Sequence, residues 1–466
     1  MKRIRLGGEI ILVLLLAGCT LAPKYQRPEA PVPVEWPKGK AYKEVQGASA
    51  QDLKWQEFFT DEKLQRIIAK ALQNNRDLRL AALNVQRARA LYGIQRAELW
   101  PALNAVGSGN VQRIPADLST TGKAVTAEQY SVTLGIAAWE IDFFGRIQSL
   151  KDSALEEYLS MEESRRSAQI LLISAVATAY LAHGADQESL RLAESTLKTQ
   201  EEVYDLIRRR YERGLASALE LRQAQTQVDA ARGEVARLSQ RLAQDENALM
   251  LLMGAPVPKE LLPAGWGSLR PPQEISPGLS SEVLLSRPDI LAAEHRLKAK
   301  NAFIGAARAA FFPRIALTTA LGTASSELSG LFKSGSGTWS FAPQIVMPIF
   351  DARTWAAYEA SKAEREIALA QYEKAIQTAF REVSDALAER GTLEEQLSAQ
   401  ESLVQAIRET YRLARLRYEK GIDSYLGVLD AQRSLFAAEQ GLVALRLAAL
   451  ANRVRLYAVL GGGGKE

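Results

Sequence analysis

The chain has 466 residues and a formal net charge of +4, with 47% apolar and 24% charged residues. This balance is too apolar for a disordered chain and too even in charge for a nucleic-acid binder, since no basic block with interleaved aromatics occurs. A single cysteine, Cys19, excludes disulfides within the chain and leaves no thiolate metal cluster.

Lys2, Arg3 and Arg5 precede an apolar run from Ile10 to Leu16. A membrane-spanning helix needs about 20 residues, so this run fits the core of a secretory signal instead. Leu16-Ala17-Gly18-Cys19 follows and resembles a lipobox, which predicts a signal peptide over 1–18 and a lipid on Cys19. Thr20, where an aspartate would retain a lipoprotein at the inner membrane, points to the outer one. Cleavage removes three basic residues and one acidic residue, taking the net charge from +4 to +2. One acyl chain anchors weakly. No later run of 18 apolar residues occurs, so any further spanning part has to be a β-barrel.

Residues 19–53 include Pro23, Pro28, Pro31, Pro33 and Pro37, which predicts an extended segment lying over the surface. The remainder is one unit written twice. Tyr204 to Gly214 reads YDLIRRRYERG and Tyr411 to Gly421 reads YRLARLRYEKG, an offset of 207 that also carries Arg146 onto Arg353, Gln225 onto Gln432 and Gly254 onto Gly461. AELWP ending at Pro101 matches AAFFP ending at Pro313 at offset 212, so a loop between Pro101 and Arg146 absorbs the difference. The first repeat spans 54–254 and the second 284–461. The linker 255–283 holds Pro256, Pro258, Pro263, Pro271, Pro272 and Pro277, which forbid a continuous helix or central strand. The final residues 462–466 are expected to be a disordered tail.

Within each repeat a moderate helix leads to two short strands and then to two long helices. Strands are expected at about 102–113 and 128–139, and at about 313–324 and 338–348. Tyr130, Val132, Leu134, Ile136 and Ala138 alternate with Ser131, Thr133, Gly135 and Ala137. In the second copy Ile315, Leu317 and Leu321 share a face, as do Trp339, Phe341, Ile345 and Met347; Pro343 suggests a bulge. The long helices are expected at 146–210 and 217–253, and at 353–417 and 423–460. Residues 146–210 contain no proline, and 65 residues reach about 100 Å. Val404, Ile407, Tyr411, Ala414 and Tyr418 keep coiled-coil spacing; in the first copy Gln200 breaks the equivalent row.

Four strands cannot close a barrel, and an open edge in lipid costs several kcal/mol for each unpaired backbone group. Two chains would give eight strands, whose interior fills with side chains. Three chains give a 12-stranded barrel wide enough to conduct, with the small residues Ser131, Thr133, Gly135 and Ala137 facing water. The fold class expected is therefore mainly α with a membrane β part: a trimeric barrel continued by a long periplasmic α-helical barrel.

Several stretches resemble the TolC-type outer-membrane efflux proteins, in their NodT-like lipoprotein branch. They are CTLAPKYQRP at 19–28, ALQNNRDLRLAALNVQRARA at 71–90, WEIDFFGRI at 139–147, SRPDILAAEHRLKAKNAFIGAARAAFFPRIAL at 286–317 and RYEKGIDSYLGVLDAQR at 417–433. The resemblance implies a homotrimer that docks to a periplasmic adaptor and an inner-membrane pump, with an equatorial belt made of the N-terminal segment, the linker and the C-terminal residues. It implies passive export of small molecules, gated where the long helices turn at Gly214 and Gly421. Tyr418 and Glu220 are matched as a link between the two hairpins, Tyr211 lies beside the first turn, and Asp423 and Asp430 match positions facing the constriction, where three copies would form carboxylate rings that favour cations. Asp423 also suits a cap on the following helix.

Catalytic chemistry is missing. Thr121-Gly122-Lys123-Ala124 lacks the first glycine and final hydroxyl of a P-loop, Ser195 and Lys198 form an isolated S-x-x-K match within a helix, and no H-E-x-x-H or EF-hand loop occurs. His183 and His295 are expected on ordinary helix faces. No enzyme activity, metal or cofactor beyond the lipid on Cys19 is expected. Two rivals share some of these features: a type I protein-secretion duct, and a periplasmic coiled-coil scaffold lipoprotein.

Overall fold

The computed structural model describes residues 20–43, 48–49, 53–278 and 280–463. Cys19 and the signal segment lie outside the described residues. In chain order the elements are β1 (Ala48–Ser49), a one-turn helix (Trp55–Phe58), α1 (Glu62–Asn74), α2 (Arg76–Ala97), β2 (Leu103–Ile114), β3 (Val125–Glu140), α3 (Arg146–Glu212), α4 (Ala218–Met253), β4 (Ile275–Ser276), α5 (Pro288–Ala309), β5 (Arg314–Ser325), β6 (Gly337–Val346), α6 (Ala352–Glu419) and α7 (Tyr425–Val459). The repeat is visible in the bounds. Shifting α2 by 212 gives α5, and shifting α3 and α4 by 207 gives α6 and α7 to within a residue.

The chain forms two compact units. One comprises residues 20–29, Asn84–Glu162 and Ala292–Tyr372; the other comprises Ala30–Leu83, Glu163–Leu291 and Glu373 onward.

The first unit is built on an antiparallel sheet in the order β2-β3-β5-β6. Ladder partners share a face. Leu134 stands opposite Leu321, and Leu321 opposite Trp339; Ile136 pairs with Thr319, and Thr319 with Phe341. On the reverse face Gly135 meets Ala320 and Thr133 meets Gly322. One face is therefore apolar and the other small and polar. The strands approach closely on the small face. A methyl group at Gly135 would stand 2.1 Å from the Thr319 carbonyl oxygen, and one at Gly322 would stand 2.1 Å from the Val132 carbonyl oxygen. Only glycine permits that approach.

The bulge lies elsewhere than expected. Pro343 pairs with Leu317 in unbroken register. A proline removes one N–H from β6 without forcing an extra residue into its ladder with β5. The register instead slips in β3 between Ile136 and Trp139, where Ala138 takes φ 49°. Ala138 thus leaves the alternation assigned to it, and Trp139 rejoins the apolar face opposite Leu317.

The sheet joins α3 and α6 through carboxylate caps. Asp142 accepts hydrogen bonds from Arg146 N and Gln148 N, both at 2.7 Å, while Arg146 grips Glu140 with two bonds of 2.8 Å. In the second copy Asp351 alone takes both roles, accepting from Arg353 N at 3.0 Å and from the Arg353 guanidinium at 2.9 and 2.8 Å. The N-terminal segment lies extended on α5: Asn301 Nδ2 donates to Pro23 O at 2.7 Å, Arg308 to Leu21 O at 3.1 Å, and Arg27 to Glu294 at 2.8 Å. Gly305 permits this contact, since a methyl there would meet Ala22 N at 2.7 Å.

In the second unit, the N-terminal segment, linker and chain end meet the long helices. Trp36 stacks on Phe380 at 5.4 Å, β1 pairs in parallel with β4, and Arg390 donates to Ile275 O at 2.9 Å. Phe58 stacks on Tyr457 at 4.0 Å, and the Tyr457 hydroxyl donates to Leu53 O. Arg287, 8% exposed, binds Asp289, Glu382 and the Val459 carbonyl. The C-terminal residues are not all loose, contrary to expectation. Gly462 N donates to Tyr457 O at 2.9 Å, and Gln169 donates to Gly463 O at 3.2 Å. Residues 464–466 lie outside the described residues.

Candidate functional site

Each hairpin turns through one recurring motif. Gly214 has φ 73° and Gly421 φ 70°, the left-handed region that glycine enters without cost. Gly214 N donates to Tyr211 O and Leu215 N to Arg210 O, both at 2.8 Å. Gly421 N donates to Tyr418 O and Ile422 N to Arg417 O, both at 2.9 Å. These are Schellman caps, which satisfy the last carbonyls of α3 and α6.

The returning helices start at equivalent serines, but not alike. Ser217 accepts from Glu220 N at 3.2 Å, and Glu220 accepts in return from Ser217 N at 2.7 Å, a complete capping box. Ser424 is the N-cap of α7 and makes no side-chain cap bond. Asp423 therefore does not cap: it sits one residue before the cap, paired with Arg417, whose Nη2 donates to Oδ1 at 3.1 Å. That pairing holds the Asp423 carboxyl below the usual carboxylate range.

Behind the turns the two hairpins share a core of Ile207, Ala224, Tyr425, Val428 and Leu429, flanked by Tyr204, Tyr411 and Tyr418. Tyr425 is 2% exposed and tilts against Tyr418 at 5.2 Å. The expected Tyr418–Glu220 bond is replaced. The Tyr418 hydroxyl accepts from Arg210 at 3.2 Å, with the guanidinium 5.7 Å from the ring centroid. Glu220 commits its carboxylate to the Ser217 box and acts on Tyr418 only through its charge. Burial raises the Tyr418 phenol, Arg210 opposes that rise, and Glu220 reinforces it. Glu220 and Tyr418 are neighbours, but the bond across the hairpins belongs to Arg210.

Asp430 is bound by Arg433 one turn along α7. Neither acid assigned to the constriction is bare within its own chain. Tyr211 gives its carbonyl to the first turn and leaves its side chain exposed. The residues missed in the sequence are Arg210 and Arg417. The repeat could have shown them, because both immediately precede the tyrosines Tyr211 and Tyr418. The repeat also places exposed apolar side chains in matching pairs at the two tips: Leu215 with Ile422, and Leu219 with Leu426. Among the described residues, no group of three or more His, Cys, Asp or Glu is arranged to hold a metal.

Two long hairpins with capped turns, one in each repeat, and an amphipathic four-stranded sheet are the architecture of a channel-forming membrane protein. The family described as "OEP: Outer membrane efflux protein" matches residues 67–255 and 279–462, and the chain belongs to that family. It is 51% identical over 459 residues to the "Probable efflux pump outer membrane protein TtgC" of Pseudomonas putida, covering 98% of this chain and 95% of the relative. It is 45% identical to "Outer membrane protein OprJ" of Pseudomonas aeruginosa, covering 98% and 96%. Among solved structures, a membrane protein from Pseudomonas aeruginosa superposes with a TM-score of 0.89 at 44% identity, covering 96% of this chain and 98% of that one. The open state of the Neisseria gonorrhoeae MtrE outer membrane channel gives 0.85 at 38% identity, covering 96% and 99%. The protein is an outer-membrane channel component of an efflux pump.

Proposed function

We propose that three copies pool their sheets into a 12-stranded barrel and their long helices into a tube of twelve segments, forming a passive duct gated at the hairpin tips. The observation that carries this is the sheet itself. It has an apolar face, a small and polar face, and two outer strands, β2 and β6, each with one unpaired side. Such a sheet is stable in hydrocarbon only when identical neighbours pair those sides. Cys19 adds an acyl anchor at the membrane surface.

The cargo is small apolar and amphipathic molecules, antibiotics and solvents among them; relatives are named for antibiotic, toluene and solvent efflux. With no nucleotide site in the chain, energy comes from an inner-membrane pump reached through a periplasmic adaptor. The exposed pairs Leu215/Ile422 and Leu219/Leu426 give the adaptor six apolar tips to grip. Opening breaks the Arg210–Tyr418 bond and parts the tyrosine core. Because Asp423 and Asp430 carry arginine partners, the constriction presents rings of ion pairs rather than bare acid, which weakens any preference for cations.

Native mass spectrometry of the detergent-purified mature protein, followed by planar-bilayer recording, tests the reading. A mass of three chains and discrete conductance are expected. A detergent-free soluble monomer without pores overturns it.

A further inference from the structure

Where α3, α4 and α7 come together lies a cavity of about 250 Å³ that the duct does not require. Ala193 and Gln200 line it from α3, Ala231 and Glu234 from α4, and Arg433 and Phe436 from α7. Gln200 lies about four helical turns above Gly214, so the cavity is distinct from the tip. Gln200 is 3% exposed, and its buried Oε1 has no hydrogen-bond partner. An unanswered acceptor is costly in a packed helical seam and calls for an explanation.

The repeat shows how the cavity arises. In the second hairpin the equivalent of Ala193 is Gln400, whose Nε2 donates to Ala438 O at 2.8 Å and lies against Gly441. Ala438 and Gly441 are the equivalents of Ala231 and Glu234. That long amide fills the seam between α6 and α7. In the first hairpin Ala193 leaves the space open, and Glu234 is committed to Arg237 at 2.8 and 2.5 Å. Gln200 in turn stands where the second repeat has Ile407. The first hairpin has therefore lost a filling side chain and gained a buried amide beside the space.

The lining selects the occupant. Both charged side chains are already paired, Glu234 with Arg237 and Arg433 with Asp430, so the cavity favours a neutral molecule. Phe436 packs against the cluster of Leu190, Ala193 and Leu238 and supplies an aromatic wall. The volume falls below the roughly 300–1,000 Å³ of pockets for drug-sized ligands, which restricts the occupant to about one ring. A hydroxyl suits the Gln200 amide, since it donates to the oxygen or accepts from the nitrogen as the side chain turns. We propose that this cavity binds small neutral aromatic alcohols of the phenol class, with the ring against Phe436 and the hydroxyl on the Gln200 amide. Its walls come from both hairpins, so an occupant bridges them.

The test is fluorine NMR of 4-fluorophenol and of fluorobenzene, each titrated with the detergent-purified protein. It does not depend on conduction, so failure of the duct and failure of the site are separable. The wild type is expected to bind 4-fluorophenol saturably, with Kd about 0.1–1 mM, and about fivefold more tightly than fluorobenzene. Ala193→Gln installs the side chain that fills the second hairpin and should weaken both probes at least about tenfold. Gln200→Ile installs the second repeat's apolar residue and should abolish the preference for the hydroxyl while leaving the space. Uptake by the wild type that never saturates, as from partition into detergent alone, overturns the site. Saturable binding unchanged in Ala193→Gln overturns it too, as does a hydroxyl preference that survives Gln200→Ile. Should either variant not assemble, the wild type decides alone, since equal affinity for the two probes overturns the site as well.

Discussion

At the scale of single residues, the tip depends on which partner the Tyr418 hydroxyl has. A bond to Glu220 would make the tip a neutral–acid contact sensitive to loss of the carboxylate. The bond to Arg210 couples the last turn of α3 to the last turn of α6 through a cation, with the aromatic ring adding a second attraction. Glu220 then has a different task, ordering the start of α4. The two roles separate by mutation. Tyr418→Phe removes one hydrogen bond, worth about 1 kcal/mol, and should raise the open fraction of the channel by roughly fivefold per protomer in bilayer recordings. Glu220→Ala should loosen the α4 cap and lower thermal stability while changing conductance far less. Equal conductance effects from both variants would restore the Glu220 link.

At the scale of elements, the close approach of β3 and β5 rests on two glycines in nearby ladder pairs. Gly135 on β3 and Gly322 on β5 each sit against the partner backbone on the small, polar face. A Cβ at either position must push the strands apart. Gly107 on β2 has open space at its Cβ and serves as the control. Gly135→Ala and Gly322→Ala should each reduce the heat-resistant oligomer seen by gel electrophoresis to a minor fraction, with Gly107→Ala near wild type. The elements themselves were readable in advance, because the 207- and 212-residue offsets fix both helix pairs and period-two alternation marks the strands. Less was legible where tertiary contact overrides local pattern. Pro343 suggests a bulge, yet it stays in register with Leu317, and the slip falls in β3 instead. Asp423 has good capping chemistry, yet Arg417 lies within reach and takes the carboxylate. Gly462 follows a helix like any frayed end, but Tyr457 and Gln169 hold that end in place. The tip arginines were within reach of the repeat, while the Asp186–Arg241 ion pair required knowing which face of α4 meets α3.

At the scale of the whole molecule, the duplicated chain would make the proposed trimer behave as a near six-fold assembly at its tips. Each hairpin ends in the same Schellman turn and bears one apolar residue just after the glycine and another in the first turn of the returning helix. Isolated exposed apolar side chains carry no meaning, but four at matched positions on two hairpins form a repeating edge. Three copies would display twelve such side chains, and fully burying each is worth about 1.5–3 kcal/mol. An adaptor that covers them gains enough to work against the closed tip, whose own restraint is a few hydrogen bonds per protomer. Removing the apolar edge should therefore break assembly without touching the pore. Leu215→Ser with Ile422→Ser is expected to abolish drug efflux in cells carrying the cognate pump. Trimer mass and single-channel conductance of the purified variant should stay unchanged, because neither side chain contributes to the tyrosine core. Wild-type efflux in that double variant would show that the adaptor holds the channel elsewhere along the helices.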